Sequence, residues 1–395
     1  MKLGNPVISG VSIGLSKSIQ SPAKQNMTRG PKYREILGRL RSEISAGKFD
    51  HTGRLPSESE LVKRFGVSRP TVARALRELQ GEGMIYRRAG SGTFLKEKTP
   101  RDAVQLGLLV PALGNTEIFD PICAEIARIA HETNHVLLWG GSSDQSPESS
   151  VRQAEEVCQR YLRQKVSGVF FAPIELTPES GHINRRIADA FKSAGTAVVL
   201  LDRDLEPFPY RSEFDLIGID NFSAAFRLAA HLINLGCSRI GFVAKPLSAP
   251  TVDLRIAGWR EAMTRAGHEH LCPGAVYIGD PNDNGFIRKL INSRLDAVIC
   301  ANDMTAALVM QKLIQAGKRV PEDIRLAGFD DLKYARLLSV PLTTMHQPCA
   351  AIGVAAVEAL LERIRNPKLA RREILLDTEL VVRRSCGAHL QRKAA

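Results

Sequence analysis

Gly53-Arg54-Leu55-Pro56-Ser57-Glu58-Ser59-Glu60-Leu61 is followed by Phe65-Gly66-Val67-Ser68-Arg69-Pro70-Thr71-Val72. Ser57 with Glu60 three residues on is a capping box, which opens a short helix carrying Leu61, Val62 and Phe65. Gly66 stops that helix. Ser68 is placed to cap the next one, with Pro70 in its first turn, where proline is tolerated. Val72, Ala75, Leu76 and Leu79 recur at helical spacing and predict a buried stripe, closed by Gly81 and Gly83. Upstream, Tyr33, Ile36, Leu37, Leu40 and Ile44 predict another helix ending at Gly47. Downstream, Ile85–Arg88, Ala89-Gly90-Ser91-Gly92 and Thr93–Leu95 read as strand, tight turn, strand. Three helices and a hairpin within about 65 residues make a winged helix-turn-helix.

Charge separates this head from the rest. The chain has 395 residues and a net charge of +12. Residues 1–101 hold 20 Lys/Arg against 8 Asp/Glu, and the remaining 294 hold 34 of each sign. A basic head on a neutral body points to a polyanion at the head, either DNA or an anionic membrane. No apolar run approaches the roughly 20 residues that span a bilayer, so no membrane partner is expected. Residues 1–29 read as a disordered tail without a cleavage site for export. Seven scattered cysteines without a CxxC pair indicate reduced, cytoplasmic usage. Cys158, Cys300 and Cys349 sit in apolar stretches and read as small core residues.

Past a polar linker the rhythm changes. Short apolar runs, Leu106–Val110, Val136–Trp139, Gly168–Phe171, Ala197–Leu201, Leu216–Ile219, Ile240–Val243, Ala297–Cys300 and Ile324–Phe329, alternate with helical stretches. Those stretches include Ile122–Thr133, Val151–Gln164, Ile183–Ala194, Phe222–Leu235, Arg255–Ala266 and Thr305–Gln315. Continuous apolar strands separated by helices imply doubly wound parallel sheets covered on both faces. Eight or more strands in about 285 residues imply two sheets, hence two lobes with a cleft. The expected division is 1–29 tail, 30–97 DNA-binding head, 98–102 linker, 103–386 effector-binding and dimerisation body, and 387–395 tail.

The head resembles the gluconate-repressor (GntR) family of winged-helix regulators. The match runs from Gly53 to Leu61 and Phe65 to Val72, through Ala75-Leu76, Leu79 and Gly81-Glu82-Gly83, to Gly90-Ser91-Gly92-Thr93-Phe94. The resemblance implies that the helix starting at Arg69 enters the major groove and that the wing tip reaches the minor groove. Arg69 has the fork geometry that reads guanine. Ser57, Ser68 and Thr71 suit phosphate, and the wing glycines let backbone approach the duplex. The expected DNA-facing set is Arg54, Ser57, Glu58, Ser68, Arg69, Pro70, Thr71, Arg74, Gly90, Ser91, Gly92 and Thr93. Many family members carry Arg, Arg and His where this chain has Ser59, Ala73 and Ala89. Arg74 lies one residue further round the helix from Ala73.

The body resembles the effector domain of the lactose/galactose-repressor family, which shares its fold with periplasmic sugar-binding proteins. Matching pieces include Ile217–Asn221, Arg239–Phe242, Arg255–Trp259, Ala301–Met304, Gly328–Asp331, Pro341–Thr344 and Leu380–Ser385. Head and body together resemble the arabinose-repressor-like branch of GntR regulators. The resemblance places the effector against Asp202, Arg203, Arg255, Asn302 and Asp330, at or near carboxyl ends of strands, where doubly wound sheets hold ligands. Carboxylates accept hydroxyl protons and guanidinium and amide groups donate back, as a polyol requires. Phe119 is expected to lend an aromatic face to a sugar ring, and Asp220-Asn221 to cap a helix. The family pattern puts the lobe crossings near Asp215, His346 and Pro367.

His131-Glu132-Thr133-Asn134-His135 satisfies the HExxH pattern, but Asn134 stands where its helix should end, which puts His135 outside it. No phosphate-binding loop or nucleophile elbow is present in the sequence, and no metal or cofactor is expected. The sequence thus reads as an effector-responsive, sequence-specific DNA-binding repressor controlled by a sugar or related metabolite, acting as a homodimer on operator DNA. The rivals are a secreted sugar receptor, which would need an export signal, and a head fused to an enzyme, which would need catalytic residues in the cleft. An activator fits the same residues.

Overall fold

The computed structural model describes residues 32–45, 48–49, 53–88, 92–95, 104–110, 118–140, 147–268, 270 and 274–391. The expected tail 1–29, the wing residues Gly90 and Ser91, and the linker 98–102 lie outside the described residues. The chain divides into two compact units, Met1–Arg101 and Asp102–Ala395.

In the head, helices α1 (Lys32–Ser45), α2 (Glu58–Phe65) and α3 (Arg69–Gly81) precede the antiparallel hairpin β1 (Ile85–Arg88) and β2 (Gly92–Leu95). The capping box forms as expected: the Ser57 amide donates to Glu60 Oε2 at 2.7 Å and the Glu60 amide to Ser57 Oγ at 3.3 Å. Gly66 ends α2 in a left-handed conformation, φ 62°. Ile36, Leu40, Leu61, Val72, Leu76, Leu79 and Ile85 close one core. Ser68 caps α3 by backbone conformation alone, because its hydroxyl lies 2.7 Å from the Thr71 hydroxyl and makes no cap bond.

The body holds two six-stranded sheets. The first runs β13 (Glu373–Leu376), β7 (Asp215–Ile219), β6 (Ala197–Leu201), β5 (Gly168–Phe171), β3 (Gln105–Leu109), β4 (Val136–Trp139), all parallel. The second runs β14 (Glu379–Val381), β12 (Thr343–His346), β11 (Arg325–Asp330), β10 (Ala297–Cys300), β8 (Ile240–Ala244), β9 (Val276–Ile278), with only β14 antiparallel. Successive residues of a strand face opposite sides, so an apolar run fills two cores at once. Leu106, Leu108 and Phe170 pack under α4 (Phe119–Glu132) and α11 (Cys349–Arg365). Leu109, Val169 and Phe171 pack under α5 (Pro147–Gln164) and α6 (Ser180–Ser193). In the second lobe α7 (Asn221–Asn234) and α8 (Pro250–Arg265) cover one face, and α9 (Asn284–Asn292) and α10 (Asp303–Gln315) the other.

The chain crosses between lobes three times: at Asp220 between β7 and α7, at Gln347-Pro348 between β12 and α11, and at Asp377-Thr378 between β13 and β14. The crossing expected at His346 is therefore adjacent to the observed one. Those expected near Asp215 and Pro367 are corrected to Asp220 and Asp377-Thr378. Asp215 begins β7 inside the first lobe, where its buried carboxylate accepts from Arg363 and Arg372. Pro367 lies before β13, which still belongs to that lobe's sheet. The expected terminal tail is also corrected: Ala388–Gln391 forms a helical turn, α12, with the Leu390 amide donating to Gly387 O.

Candidate functional site

The head presents one charged face. Ser68, Arg69 and Pro70 are exposed at the start of α3, and the Arg69 side chain is 71 % exposed. Arg69 Nε stands 3.8 Å from Glu58 Oε2, and Glu58 also binds Arg87, so one carboxylate ties the starts of α2 and α3 to β1. Arg74 stacks on the Tyr33 ring, 4.0 Å from its centroid, and lies 3.8 Å from Glu78. It is therefore held against α1. Arg54 bridges the backbone to Phe94 and lies over that ring. Gly92 has φ 120°, and a Cβ there would sit 3.0 Å from the Arg54 guanidinium. Thr93 departs from the expected DNA-facing set: it is buried and its carbonyl accepts the Leu55 amide, so it secures the hairpin to the head.

The body's cleft lies between the lobes, a cavity of about 120 Å³. That is small beside the roughly 300–1,000 Å³ of drug-sized sites. Asp202, Arg203, Arg255, Asn302 and Asp330 all line it, so five expected residues converge. Asp202 follows β6 in a left-handed conformation, φ 67°. Its Oδ2 accepts from Arg203 Nε at 3.1 Å, while Oδ1 is buried and has no hydrogen-bond partner among the described residues. Asn302 follows β10 and spends its oxygen on capping α10 through the Thr305 amide, 2.8 Å. Asp330 ends β11 with φ 109°, a strained backbone that aims its carboxylate inward. It accepts from Gln347 Nε2 at 2.7 Å and lies 3.9 Å from Arg255 Nη1. Burial pushes Asp330 up to about 7, against the opposing pull of Arg255 and Gln347. The neighbouring Asp303 is also raised well above the carboxylate range, by burial and then by Asp330.

Two placements refine the expectation. Arg255 is in the second turn of α8 rather than at its loop-to-helix edge, and it reaches the end of β10: its Nε donates to Asn221 Oδ1 at 2.7 Å and its Nη1 to Ala301 O at 2.5 Å. Asn221 thus serves Arg255, while Asp220 caps α7 through the Ser223 amide at 2.9 Å. Phe119 is buried at the start of α4, and its ring carries Arg203, 5.5 Å from the centroid. The aromatic face is occupied by protein, and Ile118 lines the cleft instead.

The structure adds residues that patterning did not single out. Glu175, after β5, forms a 2.5 Å ion pair with Arg203 and lines the same cavity. Gln347 is 1 % exposed at the second lobe crossing, and its Oε1 is buried without a partner among the described residues. Asp202 Oδ1 in the cavity wall and Gln347 Oε1 next to Asp330 are thus buried acceptors without a partner among the described residues, a state that native cores rarely leave unless a ligand or water satisfies it.

The remaining expectations fall into place around this. The helix carrying His131 ends at Glu132 and Asn134 is left-handed, so His135 is outside it; its Nδ1 accepts the Val104 amide at 3.3 Å. Cys158 and Cys300 are buried, and burial pushes Cys158 up to about 11. Cys349 is only half-buried, at the start of α11. Among the described residues no helix is long and apolar enough to cross a membrane.

Comparison with known proteins agrees with both units. Residues 32–95 match the family of bacterial regulatory proteins called gntR, and residues 229–386 match a periplasmic binding protein-like domain. An arabinose metabolism transcriptional repressor of Geobacillus stearothermophilus is 30% identical over 374 residues, 90% of this chain and 97% of that one. The ribose operon repressor of Escherichia coli K12 is 28% identical over 285 residues, 71% of this chain and 81% of that one. A solved LacI-family transcriptional regulator of Enterococcus faecium, with bound ribose, shares the fold at a TM-score of 0.57 and 23% identity, covering 71% of this chain and 98% of that one. A winged helix-turn-helix head, a two-lobed body and full-length similarity to a transcriptional repressor lead to one assignment: the chain belongs to the gntR family of bacterial regulatory proteins, as a DNA-binding transcription regulator with a periplasmic-binding-protein-like effector body.

Proposed function

We propose that this regulator is a sugar-controlled repressor that binds operator DNA as a homodimer, with the sugar held between the two lobes. The convergence of Asp202, Arg203, Arg255, Asn302 and Asp330 on one small cleft carries the reading. Each lobe contributes donors and acceptors in the mixture that vicinal hydroxyls need, and the cavity is too small for a bulky ligand. The named relatives are an arabinose metabolism repressor and a ribose operon repressor, which makes pentoses the first candidates. At the head, Arg69 reads bases, Ser57, Ser68, Pro70 and Thr71 meet the backbone, and Arg54, Glu58 and Arg74 hold the face in shape. The test is a thermal-shift screen of the full chain with L-arabinose, D-ribose and other pentoses and hexoses. A sugar present at a hundredfold its Kd adds about 2.7 kcal/mol of stability, which raises the midpoint by several degrees. The same sugar should alter retention of a promoter fragment in a gel. A flat screen across all sugars would refute the reading.

A further inference from the structure

We propose that Glu175 is a positioning residue that fastens the two lobes together at the mouth of the cleft and sets Arg203 for the effector. It rests on the cleft being the effector site, but its geometry is independent of which sugar binds. Glu175 belongs to the first lobe, in the loop after β5. One carboxylate oxygen pairs with Arg203 Nη1 at 2.5 Å in that lobe. The other accepts the amide of Ala249 at 3.0 Å, at the start of α8 in the second lobe. A single carboxylate therefore bridges the lobes.

Its neighbour doubles the contact. The Leu176 amide donates to Leu247 O at 2.8 Å, a backbone–backbone bond between the lobes one residue on. Leu176 and Leu247 both adopt left-handed backbone, φ 62° and 59°. Leucine avoids that conformation unless its surroundings hold it there. Two such residues bonded to each other mark a joint built at a cost, and the cross-lobe bonds are what hold it. Three lobe crossings already make a hinge at Asp220, Gln347-Pro348 and Asp377-Thr378; the Glu175 contact is a separate fastening.

The same carboxylate orients the binding group. Arg203 is 5 % exposed and lies between Glu175, Asp202 and the Phe119 ring. Burial would raise Glu175, yet Arg203 and the Ala249 amide hold it below the usual range, so the bridge is ionised at neutral pH. A group that pulls on Arg203 thus acts through Glu175 on the Leu247–Ala249 loop. Effector contact and lobe fastening share one side chain.

The experiment is amide hydrogen exchange on the full-length protein, wild type against Glu175→Ala and Glu175→Gln, with no sugar added. In Glu175→Ala, exchange in peptides covering 174–178 and 247–252 should rise about tenfold or more, while peptides in β6, β10 and β11 stay unchanged. Glutamine keeps an acceptor for the Ala249 amide but not the charge, so Glu175→Gln should retain part of the protection at 247–252. Unchanged exchange at both loops in Glu175→Ala would overturn the proposal. So would a uniform rise across the body, which is the mark of a merely structural residue. A second arm adds any sugar found to shift the wild-type midpoint: its affinity should fall about tenfold or more in Glu175→Ala and less in Glu175→Gln. Equal affinity in all three proteins would show that Glu175 does not set Arg203. A flat sugar screen refutes the sugar reading alone, because the exchange arm still decides the fastening.

Discussion

Replacing Arg255 with alanine separates two contributions that the cleft combines. The guanidinium supplies donors to Asn221 Oδ1 and Ala301 O and stands 3.9 Å from Asp330 Oδ1. Truncation leaves two buried acceptors without donors, at about 1–3 kcal/mol each, and removes the cation beside a buried carboxyl. The sum falls at about 3–5 kcal/mol, the range for breaking a buried pair from one side. The pH dependence carries the sharper test. Asp330 has an ordinary value of 3.8 and is raised to about 7 in the fold. A raised value means that the native state holds the proton more tightly than the unfolded chain does. Its stabilising contribution is complete below about pH 3.8, is lost as pH rises through 7, and is constant above that. Arg255 opposes this rise, so its removal moves the native value higher still. The Asp330 contribution in the wild type is then level above about pH 8, while in Arg255→Ala it continues to fall by up to about 1.4 kcal/mol per pH unit. Between pH 6.5 and 8.5 the gap between the two proteins should widen by about 1–2 kcal/mol. Urea denaturation followed by circular dichroism at both pH values, repeated in an Asp330→Asn background, measures it. The widening should vanish in that background. A gap that ignores pH, or that widens equally without Asp330, would refute the coupling.

Other outcomes follow from the same geometry. Arg69→Ala should cost about 1–3 kcal/mol on a specific operator and relax preference at one base pair; equal losses on specific and random DNA in a fluorescence titration would make Arg69 a phosphate anchor. Binding by the isolated segment 30–97 should weaken steeply with salt, since its charge excess displaces counterions, and a salt-independent Kd would contradict the electrostatic reading. Gly258→Ala should destabilise the body severely, because its Cβ would stand 2.1 Å from Phe222 O where α8 meets α7; an unchanged melting midpoint would show that the helices can move apart. A ten-residue Gly/Ser insert within 98–102 should leave sugar affinity intact and weaken sugar control of DNA binding, and full control after insertion would show that head spacing is not what the effector changes.

Legibility in the sequence followed local chemistry. The capping box at Ser57 and Glu60 and the Gly66 stop are decided within four residues, so they are visible without a fold. The continuous strands Gly168–Phe171, Ala197–Leu201 and Ala297–Cys300 stand out because both faces are buried. Thr343–His346 hides because its polar groups are satisfied internally: Thr344 Oγ1 donates to Asp303, and Thr343 Oγ1 accepts the Arg383 amide. Its alternation carries no apolar signature for that reason. Helix α11 hides differently, since small residues such as Gly353 and Ala356 let it press against α4. Edge strand β13 is half-covered and reads as neither loop nor core. In the cleft, residues next to strong strands were legible, whereas Glu175 and Gln347 depend on partners 28 and 17 positions away in Arg203 and Asp330. Phe119 misled because an aromatic beside a ligand loop looks free until an arginine is found over it.

The cleft residues are bonded to the crossings, and this bears on how a small ligand could move two lobes. Asn221 stands beside the first crossing and accepts from Arg255; Gln347 is part of the second and donates to Asp330. At the third, Arg227 of α7 binds Asp377 Oδ1, Thr378 O and Thr378 Oγ1, all within 2.7 Å. Two of the three hinge strands therefore end on the side chains proposed to hold the effector. A ligand shifts an equilibrium only by its differential affinity for the two arrangements, so it must contact groups whose positions differ between them. Asp330 meets that condition through Gln347, which lies on the crossing itself, whereas Arg255 is bonded to Asn221 and Ala301, both in its own lobe. Residues anchored within one lobe do not: Asn302 caps its own helix and would contribute affinity without bias. The regulatory weight of the cleft should accordingly lie with Asp330 at the second crossing and with the Glu175–Arg203 bridge, and substitution of Asn302 should weaken binding in both arrangements alike.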